Sequence, residues 1–326
     1  MKSIADELGV SVTTVARALK GGERISADMV RKVNDTADRL GYVRNLDAVK
    51  LRTGQTFVIM AFLSFTSDEE VGDSGSVGLL NGIHQRLAGT EYSVRATPVT
   101  MEENGLEELR KVVNGRNADG LILDHTTPDD ERVRFLIEEG IPFVTFGRTD
   151  MSASHAYFDL DNASVAYQGT RVLLDRGFHR IALLDADLRY SFTGQRVQGY
   201  RTALDEAGLA VDEEMIAHIE MDPILASKAS FDLVQKGADA IVCVNELTLL
   251  GARAGVRRAL GSEAEGFGYS VRSGTNLGAY LGSEVANVYF SRLEAGRMLT
   301  EILMKRMAGA PLGECQVIER TRLREG

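Results

Sequence analysis

Among 326 residues there are two cysteines and five histidines. None of them falls in the short paired spacings that hold a metal ion, so no metal and no cofactor is expected. Cys243 sits inside the apolar run "AIVCVN" and reads as a small buried hydrophobe. A reducing, cytoplasmic setting without disulfides is therefore expected. No apolar run approaches the roughly 20 residues a membrane-spanning helix needs, and the first residues carry no apolar stretch ahead of a cleavage site. Neither a membrane partner nor secretion is expected. Equally missing are a glycine-rich phosphate loop of the P-loop type and a G-x-S-x-G elbow.

What is there divides by charge. The chain carries a formal net charge of −10, yet residues 1–54 hold ten Lys and Arg against seven Asp and Glu, leaving 27 against 40 for the rest. A basic front on an acidic body is the asymmetry a DNA-reading head would show. The length calls for more than one domain.

The front reads as three short helices. Ser3 is expected to cap a helix over residues 4–8, with Asp6 completing a capping box. Gly9 supplies a tight turn, and Ser11 caps a second helix from Val12 to about Lys20. Ser26 caps a third, whose inward face is Met29, Val33, Ala37 and Leu40 and which ends at Gly41. Ile4, Ala5 and Leu8 meet Val15, Ala18 and Leu19, leaving Val12, Thr13, Ala16 and Arg17 outside. This is helix-turn-helix geometry, whose second helix enters the major groove of double-stranded DNA. Val12 and Thr13 face base edges and Arg17 reaches a guanine or a phosphate. Ser11, Thr14 and Tyr42 are placed for phosphates. In "NLDAVKLRTG", Asn45 can cap one or two helical turns that are marginal alone in water. Lys50 and Arg52 add positive charge, and Leu51 can wedge into a minor-groove step.

The remainder alternates apolar runs with helical stretches twice over, which implies parallel sheets covered on both faces and two similar lobes. Ligands in such sheets bind beyond the carboxyl ends of the strands. Ser64, Asp124, His125, Arg148, Asp185, Asn245 and Glu246 stand there. "GDSGSVG", residues 72–78, has the look of a protease nucleophile stretch, but no β-barrel pattern or fitting His and Asp accompanies it. It reads as a loop entering a helix. The chain is not expected to be an enzyme. An enzyme of sugar metabolism or a stand-alone ligand-binding protein on the same fold is the alternative.

"IADELGVSVTTVARALKGGERISADMVRKVNDTADRLGYVRN…LRTG" closely resembles the head and hinge of the LacI/GalR family of bacterial transcription regulators. "DLDN", "RGFHRIALL", "RVQGYRTAL", "GADAIVCVNELTLLGA" and "VIERTRLRE" resemble later landmarks. The resemblance implies a sequence-specific regulator, in most relatives a repressor, with periplasmic-binding-protein-like lobes that close on a small effector. It implies a helix-turn-helix domain at 1–44, a hinge helix and linker at 45–54, and an effector-binding and dimerisation domain at 55–326. The first lobe is then expected at about 55–157 and 286–314, the second at 158–285 and 315–326. Family members usually have Ser at Ala16, Asn at Lys20 and Pro at Arg44, so the operator differs from the commonest one. Ala16 and Lys20 join the expected DNA contacts.

In the cleft, Arg196 and Asn245 match positions that commonly bond effector. Glu246 stands for a usual Asp, and Arg148 for the Arg of a common pair whose Asp is here Gly147. Where relatives carry aromatics this chain has Asp73, Ser74, Gly75 and Ser76. Where they carry a sugar-binding carboxylate it has Gly268 to Arg272. Ser74, Ser76, His125, Arg148, Arg196, Asn245, Glu246 and Arg272 are the candidate effector residues. Their arginines suit an anion, such as a sugar phosphate or a sugar acid. A head that reads few base pairs works in twos, so a homodimer is expected, with residues 77–87 and 292–307 as candidate surfaces.

Overall fold

The computed structural model describes residues 1–19, 24–42, 50–51, 53–64, 74–99, 105–275, 280 and 285–324. Lys20 and Asn45 lie outside them, as does the side chain of Ser74. The chain forms two compact units, Met1–Thr56 and Phe57–Gly326. Among the described residues no helix is long and apolar enough to cross a membrane.

The first unit holds α1 (Lys2–Leu8), α2 (Val12–Ala18) and α3 (Ala27–Arg39). Gly9 closes α1 at φ 65, a left-handed turn that costs a residue with a Cβ more than it costs glycine. The Ser11 hydroxyl accepts from the Thr14 amide at 3.0 Å and the Ser26 hydroxyl from the Met29 amide at 3.3 Å, so both expected caps form. Ser3 is different. The helix begins at Lys2 with Met1 as its cap residue, which puts Ser3 inside the first turn without a capping bond. Ile4, Ala5, Val15, Ala18, Val33 and Ala37 make the core, with Leu8, Leu19 and Met29 packed around it. Leu40, expected inside, is 42% exposed: it follows the last helical residue, where the periodicity no longer sets its direction.

The second unit has two six-stranded sheets. The first sheet contains β1 (Val58–Ser64), β2 (Ser93–Val99), β3 (Gly120–Leu123), β4 (Phe143–Phe146), β5 (Tyr157–Leu160) and a late strand, β11 (Gln316–Glu319). Its order is β11-β5-β4-β3-β1-β2, all parallel. The second contains β6 (Ile181–Ala186), β7 (Ile216–Ile219), β8 (Ala240–Cys243), β9 (Gly268–Ser273), β10 (Val285–Tyr289) and β12 (Arg322–Arg324). Its order is β12-β10-β9-β8-β6-β7, parallel except where β12 runs against β10.

Alternation along β1 shows how each sheet is covered. Ile59, Ala61 and Leu63 face a core shared with α4 (Ser74–Leu87) and α11 (Arg292–Met307). Met60 and Phe62 face the opposite core, under α5 (Leu106–Asn114) and α6 (Glu131–Glu138). The second sheet lies between α7 (Asn162–Asp175) with α8 (Ser191–Glu206) on one face and α9 (Pro223–Gln235) with α10 (Glu246–Leu260) on the other.

The chain passes between sheets after Leu160, after Tyr289 and after Glu319, each a few residues later than expected. Full parallel pairing of β11 with β5, from Gln316 on Tyr157 to Glu319 on Leu160, keeps both strands in the first sheet. The helices α4 and α11 pack backbone to backbone: a Cβ on Gly82 would sit 1.9 Å from the Leu293 carbonyl oxygen. Leu299, Ile302 and Leu303 are thereby used in the core of one chain, not held out for a partner.

Candidate functional site

On α2, Val12 is 44% exposed and Thr13 and Arg17 are exposed, while Ala16 is half-buried. The outward face is the one expected. The Ser11 and Thr14 hydroxyls lie 2.9 Å apart, holding each other at the N-terminus of this helix. Tyr42 is half-buried against the head's core, its amide donating to the Ala37 carbonyl at 2.8 Å. Lys50 and Leu51 are helical and exposed, Leu51 at 91%.

In the second unit a cleft of about 460 Å³, open to solvent, lies at the carboxyl ends of both sheets. Of the expected effector residues His125, Arg196, Asn245 and Arg272 line it. The others do not. Ser76 donates its hydroxyl to the Ser64 carbonyl at 3.0 Å, tying α4 to β1. Glu246 accepts from the Gly274 and Thr275 amides at 2.9 and 3.0 Å and from the Thr275 hydroxyl at 2.8 Å, so it fastens the loop after β9. Arg148 stands behind the lining, its guanidinium 3.2 Å from Asp159 and donating to Gln195 of α8 at 3.0 Å.

The floor on the second lobe is Arg196. It donates to Asp185 at 3.0 Å and to Asn162 at 3.4 Å, and lies over the Phe192 ring at 4.5 Å. Asp185 is fully buried. The carboxamide oxygen of Asn245 accepts from the Thr248 amide at 2.9 Å, capping α10 while the residue faces the cleft.

On the first lobe the lining includes Asp124, Asp159, Phe146 and Arg292. Asp124 accepts from the Ser64 amide at 2.9 Å, and its other oxygen lies 3.2 Å from His125 Nδ1 without hydrogen-bond geometry. Burial opposes its charge, but His125, Arg292 and the Ser64 amide together hold the carboxyl below its usual range. Asp159 goes the other way: burial pushes its carboxyl up to about 6, against the pull of Arg148 and of the Leu160 amide. Arg292 lies over the Phe146 ring at 4.9 Å.

The residue reading thus omitted Asp159, Asn162, Phe146, Phe192 and Arg292. Only the first two had a signal, since "DLDN" spans residues 159–162. The cleft also has what it was expected to lack: Asp124 and Asp159 supply carboxylates, and Phe146 and Phe192 supply aromatic faces, from positions other than the usual ones.

Comparison with known proteins agrees with this two-part arrangement. The family described as "Bacterial regulatory proteins, lacI family" matches residues 1–45, and "Periplasmic binding proteins and sugar binding domain of LacI family" matches residues 69–310. The chain is 35% identical over 211 residues to the HTH-type transcriptional regulator RafR of Escherichia coli, covering 64% of this chain and 62% of that one. It therefore spans a little under two thirds of that relative's length. It is 27% identical over 266 residues to the regulator AglR of Rhizobium meliloti, covering 79% and 73%. The solved CelR–cellobiose complex superposes with a TM-score of 0.74 at 22% identity, over 99% of this chain and 98% of that one, a likeness of fold.

Proposed function

This chain is a member of the LacI family of bacterial regulatory proteins, DNA-binding regulators of transcription with a sugar-binding domain, and from that premise we propose that it is a repressor answering to a small sugar-type effector. Two copies set their α2 helices in the major grooves of a pseudo-palindromic operator. Val12, Thr13, Ala16, Arg17 and Lys20 meet the groove, and Ser11, Thr14, Tyr42, Asn45 and Lys50 meet the backbone. Leu51, with its side chain open to solvent, is free to enter a minor-groove step. Pairing takes place through the body. Exposed apolar residues that support it are Val77 on α4 and Ile224, Leu225 and Leu250 on α9 and α10.

The observation that carries the effector reading is the convergence of Asp124, Asp159, Arg196, Phe146 and Phe192 on one cleft. Carboxylate acceptors and a guanidinium fork serve paired hydroxyls, and ring faces serve the apolar side of a sugar. A neutral sugar fits this set. The second reading, a sugar phosphate or sugar acid, rests on the three guanidiniums of Arg196, Arg272 and Arg292 lining the same cleft. Effector that draws the lobes together changes the spacing of the two hinge segments, and so the hold on DNA.

One experiment tests both ends. The full chain is offered a library of random duplexes, and the enriched site is titrated in the presence of neutral sugars, cellobiose among them, and of sugar phosphates. A preferred pseudo-palindrome with affinity altered by a neutral sugar is expected, and Leu51→Ala should weaken the DNA without altering the heat of sugar binding. No preference over random competitor would overturn the regulator reading. A response to phosphates alone would replace the neutral effector by the anionic one.

A further inference from the structure

The loop between β3 and α6 contains a device that the cleft's lining does not explain. Arg132 and Asp130 form an ion pair at 2.8 Å, the two residues 3% and 2% exposed. The guanidinium has other work: its Nη2 donates to the Asp124 carbonyl at 3.1 Å and to the His125 carbonyl at 3.2 Å. Between those carbonyls His125 has φ 50, in the left-handed region that a residue with a Cβ enters only when its surroundings hold it there. The result is a side chain aimed across the cleft. The imidazole meets the Tyr190 ring edge-on at 5.3 Å and the Phe192 ring at 5.9 Å, both on the second lobe. One residue on, the Thr126 carbonyl accepts from the Ser191 amide at 3.1 Å, a backbone bond from lobe to lobe, and the Thr126 hydroxyl anchors the loop to the Arg148 carbonyl at 3.1 Å.

We propose that Arg132 is a positioning residue for cleft closure: by gripping two successive carbonyls it holds His125 in its strained turn and seats the imidazole and the Thr126 carbonyl against Tyr190, Ser191 and Phe192. Arg132 is absent from the cleft lining. Its effect on closure passes through the backbone of the loop. A lysine cannot replace it, because the grip needs one planar fork reaching a carboxylate and two carbonyls together. The link to effector rests on the sugar-cleft reading above; the link to closure does not.

The test measures lobe separation without ligand. Spin labels on Glu139→Cys in the first lobe and Asp205→Cys in the second, both exposed positions, report it by pulsed electron–electron resonance in the full chain. Removing Arg132 alone would strand a buried carboxylate, so the clasp is replaced as a pair by Asp130→Leu with Arg132→Met, which leaves no orphan charge. The pair variant should raise the population at long distance roughly five-fold or more, Arg132→Lys by nearly as much, and His125→Gly likewise. Adding His125→Gly to the pair variant should change little further, because both act through one turn. Distances unchanged in the pair variant, or effects of the clasp and of His125 that add in full, would overturn the proposal. Calorimetry with cellobiose and with glucose 6-phosphate on the same variants keeps the two readings apart. Widened distances with no binding of either ligand sink the sugar cleft and leave the clasp, whereas unchanged distances with sugar binding do the reverse.

Discussion

In the first lobe the strand ends turned to the cleft carry carboxylates, Asp124 after β3 and Asp159 on β5; in the second, β9 ends in the guanidinium of Arg272, with Arg196 on the facing helix α8. The backbones do not differ in this way. β1 to β5 and β6 to β10 lie in the same order, the first strand of each series flanked by its second and third. A repeated topology therefore fixes where ligand chemistry sits, while the residue at each strand end decides its sign. The lobes also differ in how they neutralise themselves. Arg196 and Asp185 are a buried pair, whereas Arg148, partnering Asp159, has a side chain 30% exposed.

That difference gives the largest expected effect. Arg196→Ala leaves Asp185 charged and enclosed, and should cost roughly 3–5 kcal/mol of stability. Arg148→Ala should cost about 1–2 kcal/mol, since water reaches the site and Asp159 can take up a proton. Urea unfolding of both variants at neutral pH measures the gap. Equal losses would mean that the lobes are held by the same means, and the comparison would fall.

Asp159 sharpens the contrast through pH. Its folded carboxyl titrates near 6 and an unfolded aspartate near 3.8. A raised acid pKa means that the folded state binds the proton more tightly, so this residue's contribution is fully present below about 3.8 and is lost as pH rises through 6. The loss is on the order of 3 kcal/mol at neutral pH, at 1.36 kcal/mol per unit. Asp159→Asn should therefore flatten the fall in unfolding free energy between about pH 4 and 6 relative to the unchanged chain. Identical slopes in the two proteins would remove the assigned proton.

How far these features could be read in advance depends on the range of the interactions behind them. The caps at Ser11 and Ser26 were legible because a hydroxyl three residues from an amide is a local arrangement. The alternation of strands and helices was legible because each strand, buried on both faces, must be apolar throughout. The cleft was legible only in part. A polar residue after a strand serves either a ligand or its own loop, and sequence does not separate the two: Asn245 does both, while Glu246 and Ser76 turn to neighbouring backbone. Phe146 and Phe192 were missed because their cleft-facing role depends on how two lobes meet. The left-handed turn at His125 was equally hidden, since its cause lies seven residues away in Arg132.

The smallest effect separates the two aromatic faces. Each lobe backs a half-buried phenylalanine with a guanidinium, Phe192 under Arg196 at 4.5 Å and Phe146 under Arg292 at 4.9 Å. A cation over a ring contributes about 0.5–1 kcal/mol where water reaches it and about 2 where it does not. Arg196 is buried and Arg292 only half so. Phe192→Leu should accordingly destabilise the body by about 1 kcal/mol more than Phe146→Leu, read from urea midpoints at unchanged slope. The packing lost is alike in the two variants, so it cancels from the difference. If the order is reversed, the guanidinium of Arg196 owes its place to Asp185 and Asn162 alone, and the ring beneath it serves the ligand side of the cleft only.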